Sequence, residues 1–180
     1  MHDARMPEAY TILPPLPADI GRLAATENLF VLATRPGEET RCCGALIALA
    51  LARGRLPLVA VLTDGGGTDP AEATRRAEAR ARESRAATAA LGLPEERLFL
   101  LGLYEGMAPA TGTPFHEQLL AALIFLMWSR DCTVIVAPRE RARRHDHAVA
   151  EAAARTVAEQ TGVGLVLYDA DGEPVTRLKR

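Results

Sequence analysis

Charged side chains follow a short apolar stretch near residue 30, where residues 29–44 read LFVLATRPGEETRCCG. The apolar stretch Leu29–Ala33 has the length of a strand, and the apolar residues further on recur at helical spacing. The turn between them carries Arg35, Glu38 and Glu39. In open α/β sheets, ligands bind where the chain leaves the carboxyl end of a strand. We therefore expect any chemistry of this protein at this turn.

Two later turns carry groups of the same kind. A second apolar stretch ends before Asp64 and three glycines, and a later one leads through a basic loop to His145, Asp146 and His147. Because the carboxyl ends of parallel strands share one edge of a sheet, we expect these residues to meet Arg35. Histidines and carboxylates in one cleft suit a divalent metal and hydrolysis. Alternatively, the acidic residues favour helix starts and the histidines lie on the surface.

The elements that must position these residues alternate between strands and helices. Strands are predicted at residues 29–33, 57–62, 98–101, 133–137 and 164–168. Helices are predicted at residues 18–26, 40–53, 71–91, 115–129 and 145–160. This alternation predicts a three-layer α/β domain with a mainly parallel sheet. We expect one domain over residues 1–180, with an irregular arm at 1–17, a buried apolar helix at 115–129 and a C-terminal hairpin.

Composition limits the classes of function. The 180 residues are 48% hydrophobic and 24% charged with a net charge of −2, which argues against a nucleic-acid or membrane partner. No stretch has the pattern of a signal peptide, so we expect the cytoplasm. The three cysteines do not predict a disulfide framework. We expect Cys43 inside a helix and Cys42 on a more polar side of it.

The order and spacing of these motifs resemble the PIG-L/LmbE family of zinc-dependent de-N-acetylases, which remove acetyl groups from amino sugars. The family's His-Pro-Asp-Asp-Glu motif corresponds to residues 35–39, and its Leu-Thr-Asp-Gly motif to residues 62–65. Its helix pattern of Arg and Glu matches Arg80 and Glu83, and its late His-x-Asp-His matches residues 144–147. The resemblance covers most of residues 29–160 and implies a Rossmann-like fold, a zinc ion and amide hydrolysis.

The resemblance also implies roles for single positions. In the family, the residues at the positions of Arg35, Glu38 and His147 hold zinc, and the residue at Gly37 is the general base. A guanidinium has no lone pair for a cation, and glycine has no side chain. The metal-binding motif is therefore substituted, with Glu38 and His147 as the remaining metal ligands. We expect Arg35 to pair with Glu38 or Asp64.

The leading interpretation is a non-catalytic or strongly diverged family member that binds a sugar-like or anionic small molecule. Its candidate ligand-binding residues are Arg35, Asp64, Arg80, Arg144 and His145. The residues alone predict no particular cofactor, and zinc is implied only by the resemblance. A second copy of the chain or a partner protein is expected to complete the pocket.

Two other interpretations stay open. An active metal-dependent amide hydrolase would use a rebuilt site of Glu38, Asp64, His145 and His147. Its catalytic candidates are Glu39 or Asp146 as the base, and Arg144 at the position that stabilises the oxyanion in the family. In the third interpretation, Cys42 or Cys43 near a helix N-terminus is a reactive thiol with His147 as its partner.

Overall fold

The computed structural model describes residues 18–140 and 144–169 and confirms the predicted α/β architecture. The strands are β1 (Leu29–Ala33), β2 (Leu58–Thr63), β3 (Leu98–Leu103), β4 (Val134–Arg139) and β5 (Gly164–Asp169). All neighbouring strands are parallel, in the order β3-β2-β1-β4-β5. The predicted arm at 1–17, residues 141–143 of the basic loop and the C-terminal hairpin lie outside the described residues.

Helices cover both faces of the sheet. They are α1 (Ala18–Thr26), α2 (Glu38–Ala52), α3 (Pro70–Ala90), α4 (Pro114–Trp128) and α5 (His145–Thr161), with a short 3₁₀ helix at Glu95–Arg97. Successive strand residues point to opposite faces. Accordingly, Phe30 and Leu32 pack with the α4 and α5 side, and Leu29 and Val31 pack with α1 and α2. The result is three layers with one apolar core on each face.

Local sequence explains several of the element boundaries. Strands β1 and β2 are buried along their whole length, as expected for apolar parallel strands covered on both faces. The backbone N–H of Ala71 donates to Asp69 at 3.0 Å, and Pro70 occupies the first helical position of α3. Proline fits there because that N–H has no partner within the helix.

Helix α4 is buried on one face only. Leu123 and Met127 are fully buried, whereas Phe115, Phe125 and Trp128 are 71%, 70% and 65% exposed. The prediction of a buried helix at 115–129 is therefore wrong for its outer face. A helix that is apolar all round carries no sequence signal for which face turns inward. Within the described residues, none of the helices has the length and apolar character needed to cross a lipid bilayer.

The order of the strands determines where a crevice opens at the carboxyl edge of the sheet. Strand β1 lies between β2 and β4. From β1 the chain adds β2 and β3 on one side, and it then adds β4 and β5 on the other side. The connections on the two sides pass over opposite faces, so a crevice opens between the carboxyl ends of β1 and β4. The turn before α2 and the start of α5 both lie at this crevice.

Candidate functional site

A buried hydrogen-bonded pair, Glu38 and His147, lies at the crevice. Glu38 is the first residue of α2, and His147 is in the first turn of α5. The ring N–H at Nε2 of His147 donates to Oε1 of Glu38 at 2.8 Å, and the His147 and Glu38 side chains are only 3% and 2% exposed. Glu38 and His147, the two residues expected from the resemblance as metal ligands, are therefore hydrogen-bonded to each other.

Thr34 donates hydrogen bonds to the second carboxylate oxygen of Glu38. The backbone N–H of Thr34 donates to Oε2 of Glu38 at 2.6 Å, and the Thr34 hydroxyl donates to the same oxygen. Burial alone raises the pKa of Glu38, but the hydrogen bonds from His147 and Thr34 outweigh it and hold this pKa below its ordinary value of 4.5. Glu38 is thus an ionised carboxylate, and both of its oxygens accept from buried groups.

Arg35 turns away from this pair. Its Nη1 donates to Oε1 of Glu105 at 3.1 Å, and Oε2 of Glu105 accepts from the backbone N–H of Gly67 at 3.0 Å. The prediction that Arg35 pairs with Glu38 or Asp64 is therefore wrong. Both oxygens of Glu38 already have donors, and Glu105 lies within reach on the loop after β3.

Asp64 shapes the neighbouring loops. Its Oδ1 accepts from the backbone N–H of Gly66 at 3.0 Å and from that of Glu105 at 3.2 Å. These bonds connect the glycine-rich loop after β2 to the loop after β3. Asp64 thereby positions Glu105 opposite Arg35 and lines neither of the two clefts described below.

The start of α5 holds the loop after β3 from the other side. Asp146 accepts from the backbone N–H of Gly106 at 2.7 Å and from that of Ala108 at 3.2 Å. Nε2 of His145 lies 2.7 Å from the carbonyl oxygen of Ala108 and donates to it. Both carboxylate oxygens of Asp146 are therefore bound to backbone, an arrangement that suits a positioning role and not a general base.

Glu39 and the cysteines lie away from the cleft. Glu39 is fully buried and accepts a hydrogen bond from the Ser84 hydroxyl of α3 at 2.7 Å. Burial raises the pKa of Glu39. Cys42 is buried like Cys43, contrary to the more polar environment predicted for it. Burial also raises the pKa of the Cys43 thiol, which is the reverse of what a reactive thiolate requires.

Two adjacent clefts open beside the Arg35–Glu105 ion pair, and both residues line both clefts. The first cleft has a volume of about 380 Å³ and is also lined by Arg144 and His145. The second has a volume of about 370 Å³ and is also lined by Arg80, which pairs with Glu83 at 2.9 Å. Volumes of this size suit small-molecule ligands.

The four residues of the rebuilt metal site do not converge. Asp64 accepts from loop amides, His145 donates to a backbone carbonyl, and only Glu38 and His147 meet. Over residues 18–140 and 144–169, no group of three or more His, Cys, Asp or Glu side chains is arranged to hold a metal ion.

Thr34 and Glu105 are site residues that the sequence analysis missed. Glu105 lies two residues after the end of β3, so the rule that marks the carboxyl ends of parallel strands applies to it as it does to Arg35. Thr34 carries no comparable signal, because a threonine at the end of a strand is common.

The fold and the crevice define an α/β protein with its site at the carboxyl edge of a parallel sheet. The sequence profile of the PIG-L family, described as GlcNAc-PI de-N-acetylase, matches residues 31–158. The chain belongs to this family. A search of curated protein sequences finds no match.

Solved structures of similar fold include deacetylases and a hydratase. N,N′-diacetylchitobiose deacetylase from Pyrococcus horikoshii has a TM-score of 0.63 at 15% identity, covering 79% of this chain and 61% of that one. The conserved protein TT1542 from Thermus thermophilus has a TM-score of 0.60 at 24% identity, covering 86% and 69%. GalB, the 4-carboxy-2-hydroxymuconate hydratase from Pseudomonas putida, has a TM-score of 0.63 at 17% identity, covering 74% and 56%.

These similarities show the fold alone. The present chain spans 61% of the length of the Pyrococcus deacetylase and 56% of that of the hydratase. Both shares are less than two thirds of the neighbour's own length.

Proposed function

We propose that this protein is a diverged PIG-L-family domain that binds a small sugar-like or anionic molecule at the crevice and does not carry out zinc-dependent de-N-acetylation. The observation that carries the proposal is the direct hydrogen bond between Glu38 and His147. In the family motif, these two positions would face a metal ion together with the residue at position 35.

The residues present do not fit a zinc ion. A catalytic zinc site uses three protein ligands and keeps a fourth position for water or substrate. Of the three motif positions, only those of Glu38 and His147 carry a side chain that can bind a metal ion. The third position is Arg35, whose guanidinium pairs with Glu105. Gly37 also provides no side chain at the position of the general base. We therefore assign no zinc-dependent step to this site.

The clefts support a binding role. Arg35 lies between them, and the exposed Arg144 lines the first one. Guanidinium groups recognise carboxylates and phosphates through paired hydrogen bonds. The fold neighbours include a hydratase named for a carboxylated molecule as well as deacetylases, which supports more than one chemistry on this fold. A cytoplasmic location, and a second copy or a partner that completes the cleft, are parts of the same proposal.

Acetate release from N-acetylglucosamine in the presence of zinc tests the proposed function. We expect the wild-type protein to release no acetate above the rate of a protein-free control. Zinc-dependent release by the wild type would overturn the proposal and favour the amide hydrolase.

Restoring the motif provides the matched comparison. Arg35→His supplies the missing ligand, and adding Gly37→Asp supplies the missing base. Gly37 has a φ of 88°, so an aspartate there carries a strain of about 1–2 kcal/mol, although no atom lies within 4 Å of the added Cβ. We expect both variants to bind zinc more tightly than the wild type.

A further inference from the structure

Glu105 shows how the crevice holds a carboxylate. One oxygen accepts from Nη1 of Arg35 at 3.1 Å, and the other accepts from the backbone N–H of Gly67 at 3.0 Å. The two donors come from different loops, one after β1 and one after β2, and they converge on one planar group. The Arg35 and Glu105 side chains are 35% and 24% exposed, so solvent reaches this pair from the cleft.

The same cleft carries a second guanidinium. Arg144 lines the cleft and is exposed, and within the described residues it forms no ion pair. The buried carboxylates nearby are already engaged, since Glu38 accepts from Thr34 and His147 and Asp146 accepts from two loop amides. Among the described residues, Arg35 and Arg144 are thus the two guanidinium groups that line this cleft, and the partly exposed Glu105 pairs with Arg35.

The exchange of Glu105 for another carboxylate needs little rearrangement. An ion pair with this degree of exposure stabilises the fold only weakly. Glu105 lies between Gly102 and Gly106, which have φ angles of 72° and 82°, while Asp146 holds the loop through the backbone of Gly106 and Ala108. A rotation of the Glu105 side chain thus frees the two donors while the loop stays anchored.

We propose that the donors of Arg35 and Gly67 form a carboxylate subsite, that Glu105 fills this subsite in the free protein, and that a carboxylate-bearing sugar-like molecule displaces it. This inference rests on the proposed function and names the class of its ligand. Arg144, which lines the same cleft, interacts with the same ligand. A neutral sugar lacks the charge that the two guanidinium groups select.

Titration of the ¹⁵N-labelled full chain with glucuronate, followed by amide chemical shifts, tests the subsite. Glucose is the neutral control with the same ring, and inorganic phosphate is the control for a non-carboxylate anion. We expect glucuronate to shift the Gly67 amide and to bind about tenfold or more tightly than glucose. Binding no tighter than that of glucose, or weaker than that of phosphate, would overturn the inference.

The Glu105→Gln variant tests the displacement. It removes the competing charge and keeps the shape, so we expect glucuronate to bind about threefold more tightly than to the wild type. Glu95→Gln, on the exposed 3₁₀ helix before β3, is the control with the same change in net charge and should leave binding unchanged. Equal affinities for the two variants would contradict the displacement.

The Arg35→Met variant tests the donor. We expect at least about tenfold weaker glucuronate binding, and no change in the control Arg85→Met on the exposed surface of α3. Arg144→Gln, at an exposed position, provides a second variant if Arg35→Met does not fold, and its binding should also weaken. Unchanged affinity in the Arg144 variant would then count against the subsite.

The outcomes separate this inference from the proposed function. Zinc-dependent acetate release by the wild type would overturn the proposed function whatever glucuronate does. If acetate release is absent and glucuronate fails to bind, the carboxylate subsite alone is wrong.

Discussion

Replacing Glu38 with alanine should strongly destabilise the protein. Glu38 accepts from the backbone N–H of Thr34 at 2.6 Å and from Nε2 of His147 at 2.8 Å, and both partners are buried. Glu38→Ala leaves these buried donors without their acceptor. Each buried unsatisfied donor costs about 1–3 kcal/mol, and breaking a buried charged pair costs about 3–5 kcal/mol.

We therefore expect the free energy of unfolding to fall by about 3–5 kcal/mol. For a urea dependence of about 2 kcal/mol per molar, this loss lowers the unfolding midpoint by about 1.5 M or more. Urea denaturation followed by far-UV circular dichroism at neutral pH measures the shift. The control is Glu83→Ala on α3, where the side chain is 64% exposed, and its loss should stay below about 1 kcal/mol.

The difference between the wild type and Glu38→Ala should also depend on pH. The folded-state pKa of Glu38 lies below its ordinary value of 4.5. The stabilisation from its charge is therefore complete above that ordinary value and is lost as the pH falls through the folded-state pKa. A loss no larger than that of Glu83→Ala, or a difference that widens toward acid pH, would refute the reasoning.

Two further substitutions and one chemical-labelling experiment test other parts of the structure. Asp146→Ala removes the acceptor for two amides of the loop after β3, and hydrogen exchange of those amides should become about tenfold faster or more. Gly66→Ala should cost about 1–3 kcal/mol in urea denaturation, because a Cβ there lies 2.7 Å from the carbonyl oxygen of Ala73. Gly21→Ala, in open space within α1, should not destabilise. Burial and a raised thiol pKa should protect Cys43 from iodoacetamide at about pH 8, as measured by mass spectrometry; rapid alkylation of the folded protein would contradict this.

The strands and their order along the chain could be predicted because each is a continuous apolar segment between turn residues. The structure extends β3 to Leu103 and starts α2 at Glu38. Gly37, with a φ of 88°, directly precedes the first residue of that helix. The helix therefore begins earlier than the apolar periodicity indicates. Such shifts are small, and Arg35, Asp64 and the start of α5 lie at the carboxyl edge of the sheet, as their positions after β1, β2 and β4 indicate.

The spacing of Glu38 and Glu39 does not predict which of the two side chains faces the crevice. Adjacent residues on a helix point about 100° apart, so only one of them faces the crevice. Glu38 binds His147, whereas Glu39 faces α3 and binds Ser84. Their order in the sequence does not reveal this choice, which depends on where α3 packs.

The partner of Arg35 depends on a loop conformation. Glu105 reaches Arg35 because Asp64 and Asp146 hold the backbone of the loop after β3. Those bonds join segments far apart in the sequence, and no local pattern encodes them. The ion pair of Arg35 with Glu105 was therefore not predictable from the sequence.

The proposed function depends on the hydrogen bond that the ring N–H at Nε2 of His147 donates to Glu38. Long-range ¹H–¹⁵N spectra of the histidine side chains during a zinc titration test this most directly, with His147→Gln to assign the signal. We predict that the Nε2–H signal of His147 persists unchanged when zinc is present in stoichiometric amounts. Its disappearance at one equivalent of zinc would contradict the account, because the metal would then have replaced that proton.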